Sequence, residues 1–210
     1  MVFSAKRLTF FLLLFTSFSF GQRAYPNFSI DANYGISGVK DPGLSDFSHL
    51  DFGLRYMLDE NVWGIKLDYG MDKFRTQETP TEKGIDVSRI SVQAACNLTN
   101  LIDNRSYFYS RYFNILAHAG VGYSMQKSVT IPQGGTDEIG HIIFGINPQY
   151  SITENLAVGL DATGIVHLSQ HYWFDGNYTY TSPEFKGSPN ATSTFIYNIS
   201  IGLSYTFGKD

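Results

Sequence analysis

His167 and Ser169 form the one pair in this sequence whose residue types and spacing suggest a nucleophilic site. His171 follows closely, and Asp175 and Glu184 are the next carboxylates along the chain. A nucleophilic serine needs a base within hydrogen-bond reach and an acid that orients the base. Both carboxylates fall in a polar loop, and ordinary loop residues are the simpler interpretation. We therefore predict that the protein is not an enzyme.

Two other histidines, His118 and His141, fall on the polar faces of neighbouring predicted strands. A protein zinc site needs at least a third ligand with suitable spacing, and none is evident. Hydrogen-bonded histidines inside the fold are the better interpretation. The single cysteine, Cys96, excludes an intramolecular disulfide and a cysteine-based metal cluster. The sequence thus predicts no metal and no cofactor.

The composition of the 210-residue chain is rich in aromatic residues and poor in charge, at 16% each. An ordinary soluble domain has about 25% charged residues. The net charge is −4 and no basic run occurs, so we expect no nucleic-acid partner. The mean hydropathy of −0.13 is too polar for a bundle of membrane helices.

An apolar segment stands at the start of the chain. Lys6 and Arg7 precede the uncharged run 8–20. This run is shorter than the roughly 20 residues of a transmembrane helix, and it fits the apolar centre of a secretory signal peptide. Small residues at Ser19 and Gly21 predict cleavage before Gln22. We therefore predict a cleaved signal peptide at residues 1–21 and one domain at residues 22–210.

Strict alternation of apolar and polar residues recurs eight times in the rest of the chain, which predicts eight strands with two different faces. The runs lie at 27–36, 49–56, 63–72, 89–98, 113–124, 141–150, 156–163 and 195–207. Mostly short connections, at 57–62, 99–112 and 151–155, alternate with longer polar loops at 37–48, 73–84, 126–138 and 167–193. This arrangement is typical of an up-and-down transmembrane barrel. The predicted fold class is all-β: an eight-stranded antiparallel up-and-down transmembrane β-barrel.

The two faces of these strands differ in a way that indicates which one points outward. The apolar face has almost no charge, and a Lys or Arg at the middle of a bilayer would cost about 2–4 kcal/mol. The other face is mostly Gly, Ser, Asn and Gln, which suits the narrow lumen of eight strands. The few charges of this face predict an interior polar network of Asp31, Asp51, Arg55, Lys66, Asp68 and Arg89. Such a lumen excludes a wide pore, although a narrow ion path stays open as an alternative.

The last predicted strand contains the most specific motif. Ser200, Gly202, Tyr205 and Phe207 resemble the C-terminal signal by which the barrel-assembly machinery recognises outer-membrane barrels. The resemblance implies that this machinery is a partner during biogenesis.

Further stretches resemble the transmembrane-barrel domain of the outer membrane protein A family, especially its Bacteroidota versions. They are 89–93, 116–122 and 144–149, together with the last strand. The resemblance implies a bacterial outer-membrane location, surrounding lipid, extracellular loops and periplasmic termini. It implies a role in envelope integrity or in binding through the loops. Many family members continue into a peptidoglycan-binding domain, and since only residues 208–210 follow the motif, we expect that domain to be lacking.

The loop at 169–193 adds a candidate binding surface. Exposed aromatic residues often mark such surfaces, but they can equally stack on one another and cap a barrel. The candidates are Tyr172, Trp173, Phe174, Tyr178 and Tyr180.

Three other functions stay open. They are a narrow, porin-like channel, an accessory subunit bound to an outer-membrane protein partner, and a lipid A-modifying enzyme. The third rests on the spacing of His167 and Ser169, which resembles that of outer-membrane lipid A deacylases. It is the least favoured, because strand parity turns His167 away from the bilayer.

Overall fold

The structure is a computed structural model that describes residues 28–58, 61–76, 82–102, 112–131, 133–179 and 191–207. The predicted signal peptide lies outside these ranges, so the boundary at residue 22 stays a prediction. Tyr180 of the candidate loop surface also lies outside them. Within the described ranges, no helix is long and apolar enough to cross a membrane.

Eight antiparallel strands form one closed barrel in chain order, which confirms the predicted fold class. The strands are β1 (Phe28–Val39), β2 (Leu44–Met57), β3 (Trp63–Thr76), β4 (Lys83–Asn97), β5 (Phe113–Ser128), β6 (Thr136–Ser151), β7 (Leu156–Gln170) and β8 (Thr192–Thr206). A short helix, α1 (Leu98–Ile102), follows β4. The barrel closes where β1 pairs with β8, from Ser29 opposite Thr206 to Val39 opposite Ile196.

The two faces of each strand point as the alternation predicted. In β1, for example, Asp31 is 4% exposed and faces the lumen, whereas Ile30 is 40% exposed and faces outward. The pattern recurs because successive side chains of a strand point to opposite faces. The barrel therefore has an apolar outer surface around a polar lumen.

The strands are longer at one end than predicted, and we call this the loop end. The connection between β1 and β2 shrinks to residues 40–43, and the predicted loop at 73–84 loses residues 73–76 to β3 and residues 83–84 to β4. The cause is an inverted pattern, in which apolar residues face inward and charged residues face outward. In β3, the outward residue is Lys73 and the buried one is Phe74. The antiparallel pairing continues through this inversion, which looks like a strand end in the sequence.

These inward apolar residues form a hydrophobic core inside the loop end of the barrel. It consists of Val39, Phe74, Ile85, Val87, Ile143, Ile165, Tyr172, Phe174 and Ile196. The lumen is thus polar through its middle and apolar near the loop end. The alternation predicted a polar interior throughout, and this prediction was wrong for the part of the lumen near the loop end.

Candidate functional site

The lumen is the candidate site, and its first group of charges lies towards the end opposite the loop end, which we call the turn end. Arg55 Nη2 lies 3.3 Å from Asp31 Oδ1 and donates to Ser204 Oγ at 2.9 Å. Lys66 Nζ lies 2.9 Å from Asp68 Oδ1. These charged side chains are buried, and a buried charge is tolerated when an opposite charge and hydrogen bonds accompany it. The four predicted network residues of this group therefore fill the lumen as two ion pairs.

A second group of charges lies further towards the loop end and joins β1, β2, β3 and β4. The guanidinium of Arg89 pairs with Asp72. His49 Nδ1 lies 2.7 Å from Asp72 Oδ1, and His49 Nε2 lies 2.8 Å from Asp51 Oδ2. Asn33 donates to the other oxygen of Asp51 at 2.6 Å. Both ring nitrogens of His49 thus face carboxylates, and this histidine bridges Asp51 and Asp72.

His49 and Asp72 were missing from the predicted network, although their parity placed both on the inner face. The signal that could have found them is this shared parity: they stand one position beyond the Leu50–Met71 pair of β2 and β3. Their contact depends on strand register, which a single sequence does not give directly.

His118 lies in the lumen and is hydrogen-bonded, as predicted. Its Nδ1 lies 2.6 Å from Gln93 Oε1, and its Nε2 lies 3.4 Å from Asp161 Oδ2. Asn147 donates to the same oxygen of Asp161 at 2.9 Å. Both ring nitrogens of His118 therefore have polar partners inside the lumen.

The middle of the lumen contains both acidic and basic side chains. The carboxylates are Asp31, Asp51, Asp68, Asp72 and Asp161, and the permanent cations are Arg55, Lys66 and Arg89. His49 and His118 also lie within ion-pair distance of these carboxylates. The middle of the lumen is therefore a network of paired polar and charged side chains.

The predicted His167–Ser169 pair is not assembled. His167 is fully buried, and its Nε2 lies 3.1 Å from Ser124 Oγ, while its Nδ1 lies 3.1 Å from Gln170 Oε1. Ser124 Oγ also lies 2.8 Å from His141 Nδ1. Ser124 is itself fully buried, so this group links β5, β6 and β7 inside the lumen. Across the described ranges, no three His, Cys, Asp or Glu side chains are grouped to hold a metal ion.

Residues 171–179 fold back into the mouth of the barrel, and we call them the mouth plug. The chain reverses through bonds from Trp173 N to Asn177 O at 2.7 Å and from Thr179 N to His171 O at 2.9 Å. Phe174 is fully buried and packs edge-to-face on Phe74, with ring centroids 5.1 Å apart. The plug therefore seals the loop end with the same hydrophobic core that lines it.

Polar contacts hold the mouth plug against β5 and β6. Ser128 Oγ donates to Gly176 O at 2.6 Å, and Thr130 Oγ1 donates to Asp175 O at 2.5 Å. The carboxylate of Asp137 accepts from the backbone N of His171 at 2.6 Å and lies 2.8 Å from its ring. Gly176 has a φ of 83°, and a Cβ there would lie 2.5 Å from Gly84 O. This turn of the plug therefore requires glycine.

The plug changes the interpretation of the aromatic loop. Tyr172 is 2% exposed and its hydroxyl donates to Gly134 O, so Tyr172 and Phe174 belong to the core and not to an exposed binding surface. Burial and the Tyr178 hydroxyl hold the pKa of Tyr172 above its usual range, which keeps this donor protonated. Tyr178 stacks on Tyr172 with centroids 4.8 Å apart, and Trp173 is half-buried. Aromatic side chains point inward here because the inner surface of the barrel is apolar near the loop end.

The turn end of the lumen contains a polar pocket of about 50 Å³. Its lining includes Arg55, Asn97, Asn114 and Gln149. A cavity of about 10 Å³ lies beyond Arg55, next to Lys66. The smaller volume is about enough for one water molecule. The free space in the lumen therefore becomes very small next to the ion pairs of Arg55 and Lys66.

The outer surface is apolar across the middle of every strand. Ile65, Val121, Leu160 and Ile201 are each at least 56% exposed. Within the described strands, outward charges occur only in the last few residues at the loop end. Exposed aromatic residues lie near the turn end at Tyr56, Trp63, Tyr150 and Tyr205. Others lie further along the strands, at Tyr34, Phe52, Tyr69, Tyr123 and Phe144.

The residues of the C-terminal motif occupy the strand that closes the barrel. Tyr205 and Phe207 face outward with rings 5.1 Å apart. Ser200 and Gly202 face the lumen, and Gly202 stands opposite Asn33. A Cβ at Gly202 would overlap Asn33 Oδ1, so glycine is needed for the approach of β8 to β1.

A closed barrel of eight strands with an apolar outer face and a packed polar lumen is the architecture of small transmembrane β-barrels. Two of the solved structures that share the fold of this chain serve for comparison. Neisserial surface protein A has 13% identity and a TM-score of 0.53, over 86% of this chain and 96% of that one. A major outer membrane protein from Thermus thermophilus has 13% identity and a TM-score of 0.54, over 85% of this chain and 98% of that one. Comparisons with protein-family models and with curated sequences give no match.

Proposed function

We propose that this protein is an integral β-barrel of the bacterial outer membrane, with its loop end extracellular and its termini periplasmic. The observation that carries the proposal is the uncharged, exposed apolar face on the middle of all eight strands. Exposed apolar surface on this scale is unfavourable in water and favourable in lipid. Both structural neighbours are outer membrane or surface proteins by name, which supports the same location.

The proposed role is structural, in envelope integrity or in binding a partner at the loop end, without a conducting pore. The ion pairs of Arg55 and Lys66 fill the middle of the lumen, and the mouth plug fills its loop end. A hydrated ion would have to break buried charge pairs and displace Phe174 from the core. These features favour a structural barrel over a narrow channel. Assembly through the Ser200–Phe207 motif belongs to the same proposal.

Outer-membrane fractionation with gel mobility tests the location. We expect the protein in the outer-membrane fraction, running faster when unboiled than when boiled, because folded barrels resist the detergent. Protein found in the soluble periplasmic fraction with identical mobility in both samples would contradict the proposal.

The channel alternative is tested by purified protein in planar bilayers. We expect no conductance steps with the natural sequence. Reproducible steps that disappear after heat unfolding would favour the channel, while the outer-membrane location could still hold.

A further inference from the structure

The outer surface near the loop end differs between two halves of the barrel. The half formed by β3 to β6 presents charges there, at Lys73, Arg75, Asp86, Lys127 and Glu138. The half formed by β7, β8, β1 and the start of β2 presents large apolar side chains, at Leu168, Phe195, Ile36 and Phe47. Among the described residues, the exposed charges of this half are Lys40 and Asp41 in the connection between β1 and β2, and Asp46 next to Phe47.

The two halves can be compared at one height. Phe195 stands three residues inside the loop end of β8, and Lys73 and Asp86 stand three residues inside the loop ends of β3 and β4. These positions all face outward. Phe195 is 45% exposed, and Leu168, two residues inside the end of β7, is 52% exposed. Equivalent outward positions near the loop end are thus apolar on one side of the barrel and charged on the other.

The contacts within the charged half suit contact with water, and those within the apolar half suit contact with lipid. On the charged side, Arg75 donates to Glu82 at 3.0 Å and to Asp86 at 2.5 Å, in pairs that suit contact with water. On the apolar side, the rings of Tyr34 and Phe47 meet edge-to-face at 4.9 Å. The Phe195 ring stacks on Phe144 of the strand-middle apolar band at 6.5 Å. The apolar half is therefore a continuous upward extension of that band.

From this asymmetry we infer that the barrel sits tilted in the bilayer, with lipid acyl chains covering Leu168, Phe195 and Phe47. On the opposite side, the hydrocarbon region ends below Lys73 and Asp86. An upright barrel would leave the apolar half in the headgroup region or draw the charged half into hydrocarbon, and a tilt avoids both. The inference rests on the proposed membrane location and adds which side of the barrel is immersed more deeply.

Site-directed spin labelling tests the tilt. Single cysteines replace Phe195, Leu168, Lys73 and the mid-strand Val121 in a Cys96→Ala background, and each folded variant is reconstituted in phosphatidylcholine vesicles. Collisions of the nitroxide with oxygen report lipid, and collisions with a water-soluble nickel complex report solvent. We expect labels at 195 and 168 to favour oxygen, as the label at 121 does, and the label at 73 to favour nickel.

The other outcomes separate the two proposals. Labels at 195, 168 and 73 that all favour nickel, with oxygen favoured at 121, would overturn the tilt and leave the membrane location intact. Nickel contact at 121 as well would overturn both. A label at 195 or 168 that is shielded from both reagents, and that is broadened by the same label on a neighbouring molecule, would assign the apolar half to a second copy of the chain, against the lipid inference. Because residues 195 and 168 report the same half, either one suffices if the other variant does not fold.

Discussion

The Nδ1 atom of His49 lies 2.7 Å from Oδ1 of Asp72, which joins β2 to β3 in the middle of the lumen. The same ring bonds Asp51 through its other nitrogen, and Asp72 also pairs with Arg89. One imidazole therefore holds two carboxylates that would otherwise repel each other in a buried site. Such a bridge makes the stability of the barrel sensitive to a single neutralising change.

Replacing His49 by Leu should destabilise the barrel by about 3–5 kcal/mol, because two buried carboxylates lose the imidazole that bridges them. Urea unfolding in lipid vesicles measures the loss. The double variant His49→Leu/Asp51→Asn should recover part of it, since one of the excess negative charges is removed. An unchanged unfolding midpoint for His49→Leu would contradict the bridging role of His49.

Gly202→Val should prevent barrel closure, because any side chain at this position overlaps Asn33 in the neighbouring strand. The loss of the fast-migrating unboiled band on a gel reports the effect. Gly140→Ala provides the matched control, since a Cβ there meets only Leu168 Cδ1, at 3.8 Å. Normal folding of Gly202→Val would show that β1 and β8 approach each other less closely than described.

Phe174→Ala should destabilise the folded state by about 3–5 kcal/mol, because a fully buried aromatic ring is removed from the loop-end core. Trp173→Ala should have a clearly smaller effect, since this neighbouring side chain is only half-buried. Protease cleavage within residues 171–179 should become faster in the first variant alone. Equal effects of both substitutions would mean that the plug is not anchored through Phe174.

An introduced charge on the outer face should be tolerated near the loop end and not in the apolar band across the middle of the strands. Val121→Arg should lower the stability or yield of the inserted barrel by about 2–4 kcal/mol if this position lies near the middle of the bilayer. Lys127→Arg in the same strand keeps the charge that is already present beyond the band, and it should behave like the natural protein. Full tolerance of arginine at 121 would argue against surrounding lipid.

Ser169→Ala tests the lipid A-modifying alternative. We expect the lipid A of cells that overproduce the natural protein, or this variant, to match that of control cells in mass spectra. A modified species that depends on Ser169 would revive the enzymatic hypothesis, despite the contacts of His167 with Ser124 and Gln170.

The fold could be predicted because each strand repeats the same two-residue pattern many times. In β3, Lys66 and Asp68 face the lumen and Ile65 and Leu67 face outward, as the alternation indicates. The pattern failed at Lys73 and Phe74, where apolar residues turn inward and the strand continues. Parity gives the face of a residue, and register gives its partner, so Asp68 was placed in the lumen while the link between His49 and Asp72 was not foreseen. The sequence did not decide whether the aromatic residues of the mouth plug form an exposed binding surface or cap the barrel. Their burial depends on the apolar residues that line the loop end of the lumen, and the sequence does not show that these residues lie next to the loop.

The contact of Gly202 with Asn33 has a consequence for how the ends of the sheet find each other. β1 and β8 are the first and last strands, so their pairing is the event that turns an open sheet into a ring. A slip of two residues along this seam would keep every side chain on its proper face, and the alternation alone could not reject it. It would, however, set Ser200 or Ser204 against the Asn33 amide in place of the glycine. Because Gly202 has no side chain, the observed pairing of β1 and β8 is favoured over a pairing that is shifted by two residues.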